Sequence, residues 1–159
     1  MTYREATDGK DVQFDVFSDI AVKHFMQPRN QRPLKRVNGK GCTSNESLED
    51  FMQISVFVNP EGIIEEIRCR TVGCAAAVAC GSVFTEMVLG LAVEEALSIR
   101  AEDVLEALGG LPDNRKRYAQ LPQLALQAAV ENYEERQSRR KAKRLEGSFV
   151  YRRLSEVRV

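Results

Sequence analysis

The sequence lacks several features that would narrow its function at once. It contains no tryptophan and only one histidine, His24. A lone histidine with no partner spacing is more often structural than catalytic, and no Ser/His/Asp or paired-carboxylate constellation stands out. Net charge is also absent, because 23 acidic residues balance 23 basic ones. The whole-protein field therefore gives no argument for nucleic acid or a membrane surface as a partner, and no enzyme active site is predicted.

Long apolar runs and paired cysteines are missing as well. No stretch approaches the length of a membrane-spanning helix, and the polar N-terminus lacks the apolar core of a signal peptide, so we expect a cytoplasmic protein. The four cysteines stand at positions 42, 69, 74 and 80. No CxxC pair exists, zinc-finger spacings are absent, and a disulfide framework is not expected in the cytosol.

Length and composition divide the 159 residues into three parts. Residues 1–13 are predicted to be a flexible N-terminus, residues 14–133 a single domain, and residues 134–159 a basic C-terminal extension. The extension carries nine bases and four acids. Its basic run at 139–144 is interpreted as a solvated helix extension, with an acidic partner or nucleic acid as the alternative. The weak alternation at 149–159 is also compatible with a strand added to a partner.

Hydrophobic periodicity predicts an α+β domain. A helix is expected over 14–25, with Asp15 or Ser18 as its cap. The Gly-rich segment 31–50 is predicted to be a loop with a short strand at 35–38. Residues 51–58 alternate and favour a strand with one buried side, and 63–71 return as the second arm of a hairpin. With helices after residue 74 and from about 121, we expect a small three-stranded antiparallel sheet with helices packed on one face.

The segment between the hairpin and the next helix has distinctive chemistry. A β-branched strand leads into Gly73-Cys74, and the small residues Ala75, Ala76 and Ala77 follow. Glycine permits a tight turn, and the cysteine after it is expected near a helix N-terminus. There, free backbone N–H groups and the helix dipole favour a thiolate.

Taken together, these segments resemble the U-type iron–sulfur cluster assembly scaffolds, the family of the NifU N-terminal domain and IscU. The resemblance runs over residues 14–133. It is carried by the following residues in order: His24-Phe25, Pro28-Arg29-Asn30, Asp50-Phe51-Met52, Gly62-Ile63-Ile64-Glu65, Gly73-Cys74-Ala75, Ser82 to Glu86, Leu111-Pro112 and the Ala-rich helix ending in Tyr133. It implies a SufE/NifU-like fold and a site in which three cysteines and an aspartate hold a nascent cluster.

The sequence departs from that family at the ligand positions. Where the family has Cys-Gly-Asp, this chain has Leu48-Glu49-Asp50, and where the family has His-Cys it has Arg117-Tyr118. Only Asp50 and Cys74 remain of the ligand set that the resemblance implies. The family's chaperone-recognition segment, Leu-Pro-Pro-Val-Lys, is also altered, because Asp113-Asn114 follows Leu111-Pro112.

The other cysteines receive different interpretations. Cys42 lies in the Gly-rich segment and is predicted to swing toward Asp50 and Cys74 as a third metal ligand. Cys80 lies about 240° around the helix from Cys74 and does not share its face. Cys69 falls where the family has an aromatic residue. Both Cys69 and Cys80 are interpreted as buried thiols, while Cys42, Cys74 and Asp50 are the candidate metal residues.

The resemblance implies an iron–sulfur assembly protein that binds a [2Fe–2S] cluster, iron or zinc weakly or at a subunit interface of a homo-oligomer. Its implied partners are a cysteine desulfurase or other assembly proteins, and neither a membrane nor nucleic acid. Two alternatives remain open, and in both the chain binds no metal. One is a degenerate homologue acting as an interaction or regulatory partner of the sulfur-transfer machinery. The other is a persulfide carrier through Cys74, with Arg70 or Arg117 supporting the thiolate.

Overall fold

The structure, a computed structural model, describes residues 2–4, 11–13, 16–45 and 49–156, with side chains described for 16–45 and 49–145. Its elements in chain order are strands β1 (Thr2–Arg4) and β2 (Asp11–Gln13), helix α1 (Asp19–Met26), strands β3 (Gly39–Ser44), β4 (Phe51–Val58) and β5 (Ile64–Val72), helices α2 (Ala75–Val88), α3 (Val93–Leu97) and α4 (Ala101–Ala107), a 3₁₀ helix (Asp113–Gln120), and helix α5 (Leu121–Glu156).

The main sheet has three antiparallel strands in the order β3–β4–β5. One side of the central strand β4 is fully apolar and buried, as the sequence predicts, and it consists of Met52, Ile54, Val56 and Val58. Ile54 marks the middle of that side, since it lies opposite Gly41 on β3 and Cys69 on β5. A slip of one residue would turn this buried side of β4 toward solvent, so its burial favours the observed pairing register.

Strand β3 corrects the prediction of a loop over residues 31–50 with a strand at 35–38. The strand instead runs from Gly39 to Ser44, and its glycines are there for close packing against α5. A Cβ atom added to Gly41 would lie only 2.2 Å from the backbone nitrogen of Ala129. The backbones of strand and helix thus approach more closely than any side chain at this position would allow. Because glycine is also common in turns, the sequence pattern indicated a loop here and not a closely packed strand.

Helices α2 and α5 cover the same face of the sheet, which confirms the α+β prediction. Helix α5 lies against Gly41, and α2 lies against Met52 and Cys69, as shown by their contacts with Gly81. These three sheet residues all belong to the side of the sheet that carries Ile54. The small residues at the start of α2 are almost fully buried, so this helix packs tightly on the sheet.

The N-terminal helix begins at one of the two predicted caps. Helix α1 is capped by Ser18, whose side chain accepts a hydrogen bond from the backbone N–H of Ala21 at 3.0 Å. Ser18 is one of the two caps that the sequence predicts, and the other, Asp15, lies outside the described residues. Strands β1 and β2, in the segment predicted to be flexible, pair with each other as an antiparallel ladder.

The C-terminal helix begins where Pro122 predicts, with Leu121 as its first residue after the 3₁₀ helix. It continues to Glu156, and the side chains of the basic run 139–144 are exposed along it. Residues 149–156 are therefore helical, which corrects the strand considered for 149–159, while 157–159 lie outside the described residues. None of the helices described is long and apolar enough to cross a membrane.

Candidate functional site at the strand–helix junction

Cys74 stands where β5 gives way to α2. It is the N-cap residue of α2 with an extended backbone, and its side chain makes no capping hydrogen bond. The thiol is partly exposed and touches the edge of the hydrophobic core. The sequence prediction of a cysteine at a helix N-terminus after a glycine turn is therefore confirmed by the fold.

Asp50 lies directly beside this junction, at the start of β4. Its Oδ1 accepts a hydrogen bond from the backbone N–H of Cys74 at 3.1 Å. The carboxylate is 5% exposed. A Cβ atom at Gly73 would lie 2.1 Å from Oδ1 of Asp50. The glycine before the cysteine is thus required because only its missing side chain leaves room for the acid.

Asn45 holds the other side of the Asp50 carboxylate. Its side-chain Nδ2 donates to Oδ2 of Asp50 at 2.7 Å, and its Oδ1 accepts from the Asp50 backbone N–H at 3.2 Å. Sequence reasoning missed Asn45, because it is one of several small polar residues in that segment and nothing local singles it out. Leu48, which stands at the position of the lost cysteine, lies outside the described residues.

Arg117 and Tyr118 are neighbours on the 3₁₀ helix, which packs against α2. Tyr118 is 4% exposed, and its hydroxyl accepts a hydrogen bond from Nη2 of Arg117 at 3.2 Å. The Arg117 guanidinium carbon also lies 5.1 Å from the centre of the Tyr118 ring, within the range of a cation–π contact. The two residues at the position of the family's His-Cys pair therefore bind each other through a hydrogen bond and a cation–π contact.

Electrostatic interactions connect this pair to Cys74 and Asp50. Burial raises the pKa of the Tyr118 phenol, the hydrogen bond from Arg117 opposes that shift, and the negative charges of Cys74 and Asp50 add to it. The hydrogen bond to Tyr118 raises the pKa of Arg117, and the charges of Asp50 and Cys74 raise it further. Arg117 and Tyr118 are therefore within electrostatic range of Asp50 and Cys74.

The remaining cysteines lie elsewhere. Cys69 and Cys80 are fully buried, as predicted, and burial raises their thiol pKa values to about 11 and about 12. Cys42 is exposed on β3 opposite Gln53, on the sheet face that the helices leave uncovered. This corrects the prediction that Cys42 swings from a loop toward Asp50 and Cys74. Strand pairing fixes its side chain on the opposite face, and reversing it would require a one-residue register slip.

Few of the side chains that the structure describes are placed to share a metal ion. Among the residues that the structure describes, no group of three or more His, Cys, Asp or Glu side chains could hold a metal ion. Asp50 and Cys74 therefore stand as a pair within one chain. A [2Fe–2S] cluster ordinarily takes four protein ligands, so a single chain does not supply a complete cluster site from these residues.

His24 belongs to a separate polar network between α1 and α2. Its Nδ1 lies 2.7 Å from the Ser82 hydroxyl, and its Nε2 lies 3.7 Å from a carboxylate oxygen of Glu86. The backbone N–H of Arg29 also donates to Ser82 at 2.8 Å. Burial lowers the pKa of His24. This arrangement agrees with the structural role predicted for the lone histidine, because the Ser82 hydroxyl is buried within the network.

Comparison with known proteins adds an independent line of information. The family model for the NifU-like N terminal domain matches residues 16–140. The iron–sulfur cluster assembly scaffold protein IscU of Aquifex aeolicus is 36% identical over 124 residues, covering 77% of this chain and 79% of that protein. The IscU scaffold of Escherichia coli K12 is 34% identical over 130 residues, covering 80% and 98%. Among solved structures, an N-terminal NifU-like protein from Brucella abortus superposes with a TM-score of 0.64 at 13% identity, covering 77% and 96%, which supports the fold alone.

Proposed function

The chain belongs to the family of NifU-like N-terminal domains, and from this premise we propose that it is an iron–sulfur cluster assembly protein working through Cys74 and Asp50. Relatives that share 34–36% of their residues with it are named as assembly scaffolds. The observation that carries the proposal is the 3.1 Å hydrogen bond that holds the Asp50 carboxylate beside Cys74. The protein acts as a carrier of cargo and catalyses no reaction of its own.

The two retained residues suit a site that binds iron transiently. The Cys74 thiolate is the kind of ligand that iron–sulfur clusters prefer, and the Asp50 carboxylate is a harder and more labile one. Each Asp50 oxygen already accepts one hydrogen bond, from Cys74 or Asn45, and keeps a lone pair for a metal. Iron, zinc or a cluster is therefore held weakly by one chain, and release to a recipient costs little.

Two chains together can supply the complete set of cluster ligands that a single chain lacks. A pair of subunits that bring their Cys74 and Asp50 residues to a common interface provides the four ligands of a [2Fe–2S] cluster. Cys74 is partly exposed, so a second chain can reach it. In this form the cluster is assembled cargo at the interface of a homodimer, and dimerisation and cluster formation depend on each other.

Anaerobic reconstitution tests this role. The wild-type protein is incubated with ferrous iron and sulfide, and bound iron, visible absorbance and oligomeric state are measured together. Cys74→Ala is expected to abolish bound iron and the dimer, while Cys42→Ser, a matched change of an exposed thiol on the other sheet face, leaves both intact. Wild-type protein that remains monomeric and colourless, or iron binding that survives Cys74→Ala, would contradict the proposal.

A second candidate function is favoured by Arg117 and Tyr118. These residues place a positive charge and a hydroxyl near Cys74, which suits an anionic sulfur group better than a metal. In this role the Cys74 thiolate attacks the outer sulfur of a donor persulfide. One S–S bond forms as the donor's S–S bond breaks, and the donor leaves as a thiolate with no net oxidation. The proposed sulfur donor is a cysteine desulfurase that carries a persulfide.

The second candidate is tested without iron. The chain is incubated with a cysteine desulfurase and cysteine, and the mass of each cysteine-containing peptide is measured under non-reducing conditions. A gain of one sulfur atom is expected on the Cys74 peptide, and Cys42→Ser serves as the control that keeps it. Equal sulfur gain on the Cys42 and Cys74 peptides would indicate non-specific chemistry and would reject this role.

A further inference from the structure

Helix α5 has two parts that differ in their surroundings. Its first part packs on the sheet, where the backbone of Ala125 and Ala129 lies close to Gly41. From residue 134 to residue 145 the helix continues without a break, and every side chain is exposed. We call residues 134–145 the basic segment, which is about 18 Å long at a rise of about 1.5 Å per residue. Packing against the described part of the chain therefore does not account for its side chains.

The positive charges of the basic segment are gathered on one side of the helix. The segment contains six bases and two acids. At about 100° per residue, five of the six bases lie within a sector about 140° wide, and both acids lie outside it. We call this sector the cationic face, and its residues are Arg136, Arg139, Arg140, Lys143 and Arg144. Within the described part of the chain, no ion pair neutralises any of these five side chains.

The chemistry of the cationic face favours a polyanion over a folded protein. Four of its five cations are arginines, whose planar guanidinium donates paired hydrogen bonds to phosphate oxygens. The centre of an interface between folded proteins is poor in charged residues and rich in apolar ones, whereas the cationic face has no apolar side chain between residues 134 and 145.

A membrane surface fits the basic segment less well than a polyanion does. A helix that lies in the membrane interface needs a broad apolar face opposite its charges. Between residues 134 and 145 the opposite side offers only Ala142 and Leu145 as apolar residues. These two side chains bury little surface, so a lipid bilayer gains little from this helix beyond the attraction of charges.

We propose that the cationic face of α5 binds the phosphate backbone of duplex nucleic acid without reading its sequence. An α-helix with its side chains is about 10–12 Å across, which matches the major groove of B-form DNA at about 12 Å. The five cations span about 12 Å along the helix, so they reach several phosphates at once. The site uses none of the residues proposed to bind iron, and the NifU-like family model ends at residue 140, inside the basic segment.

Fluorescence anisotropy with a labelled DNA duplex of mixed sequence tests the proposal. The full chain is titrated, without added metal, at salt concentrations from about 50 to about 200 mM. The logarithm of the affinity is expected to fall with the logarithm of the salt concentration with a slope of about −4, since each neutralised phosphate contributes about −0.9. An RNA duplex of the same sequence is titrated separately. Tighter binding of DNA supports insertion into the major groove, and equal binding supports contact with the backbone alone, because the major groove of RNA is too narrow for a helix.

Two double variants with the same net charge separate the cationic face from charge in general. Arg139→Gln with Lys143→Gln removes two charges from the face and is expected to weaken binding by about tenfold or more at low salt, with a slope smaller by about two. Lys35→Gln with Lys141→Gln removes two exposed charges outside the face and is expected to leave the slope unchanged. Glutamine is a good helix former, and circular dichroism checks that the helix content is equal in both variants.

The proposal is overturned if the two double variants lose affinity equally, or if the wild-type chain shows no salt-dependent binding at protein concentrations up to about 100 μM. A polyglutamate peptide of matched charge covers the other class of partner. If it binds more tightly than either duplex, the face recognises an acidic protein and the proposal is wrong. The measurement involves neither iron nor Cys74, so its result is independent of the proposed role in cluster assembly.

Discussion

Oδ1 of Asp50 accepts the backbone N–H of Cys74 at 3.1 Å, and this bond joins the start of β4 to the start of α2. The acid thereby takes the role of an N-terminal partner for a helix whose own N-cap residue makes no capping bond through its side chain. Asn45 holds the same carboxylate from the other side at 2.7 Å. The two residues proposed to bind iron therefore also join the sheet to helix α2, so replacing either one is expected to disturb this junction.

Substitution of Gly73 by alanine tests the tight contact at this junction. The three atoms nearest to the new Cβ would all belong to Asp50, with Oδ1 at 2.1 Å and Cγ at 3.0 Å. We expect Gly73→Ala to lower the free energy of unfolding by about 1–3 kcal/mol, because the acid must move. In an Asp50→Ala background the same change should cost clearly less. Denaturant titration of the two single variants and the double variant measures this coupling, and additive costs would disprove the contact.

Gly41 carries a similar prediction for the packing of the sheet against α5. An alanine there would place its Cβ 2.2 Å from the Ala129 nitrogen and 2.3 Å from the Ala125 carbonyl oxygen. Both are backbone atoms of a long helix and move little. We expect Gly41→Ala to destabilise the protein by at least about 2 kcal/mol in urea unfolding. The exposed neighbour Lys40 gives the control, since Lys40→Ala should cost no more than about 0.5 kcal/mol.

These two glycines illustrate how far sequence reasoning reached. The alternation along β4 and the Gly73-Cys74 junction were predictable, because period-2 patterning and a glycine before a helix act locally. Strand β3 was not predictable, because a glycine in the sequence is compatible both with a turn and with close packing of a strand against a helix. Gly39 and Gly41 therefore did not distinguish a loop from a strand. Only the position of α5, which begins 80 residues after Gly41, distinguishes the two.

The residues of the candidate site were predictable from the sequence, but their contacts were not. The resemblance aligned Asp50, Cys74, Arg117 and Tyr118 with known ligand positions. In the fold, Asp50 accepts a hydrogen bond from the backbone of Cys74, and the 3₁₀ helix that carries Arg117 and Tyr118 packs against α2. The resemblance did not predict that Arg117 binds the Tyr118 hydroxyl, because adjacent residues on a regular α-helix point in different directions. It also placed Cys42 near the site, an expectation that depended on the loop assignment and was corrected with it.

The partly buried network around His24 predicts a pH dependence of stability. Burial lowers the pKa of His24 below its ordinary value of 6.5, so the folded protein favours the neutral imidazole more than the unfolded chain does. Its contribution to stability is therefore fully present above pH 6.5 and is lost as the pH falls from there through the lower folded-state pKa. The measurement is the free energy of unfolding across this range for wild type and for His24→Asn, which keeps a polar group near Ser82.

The expected outcome is a steeper loss of stability in the wild-type protein than in His24→Asn. Titration of the carboxylates contributes similarly to both proteins, so the difference between the two curves isolates His24. Parallel curves would show that the histidine has the same pKa in the folded and unfolded chains, and that its bond to Ser82 does not depend on the neutral ring.

Native-state thiol labelling gives a direct check on the placement of all four cysteines. Cys42 and Cys74 are at least partly accessible, whereas Cys69 and Cys80 are fully buried with pKa values raised to about 11 and about 12. A thiol must be both exposed and deprotonated to react with a maleimide, so two of the four should label rapidly at neutral pH. The buried pair should react only at the rate of global or local unfolding, and all four should react in denaturant.

Peptide mapping by mass spectrometry identifies which cysteines carry the label. Rapid labelling of Cys69 or Cys80 in the native protein would contradict the packing of β5 against Gly81, because Cys69 reaches the surface only if α2 lifts from the sheet.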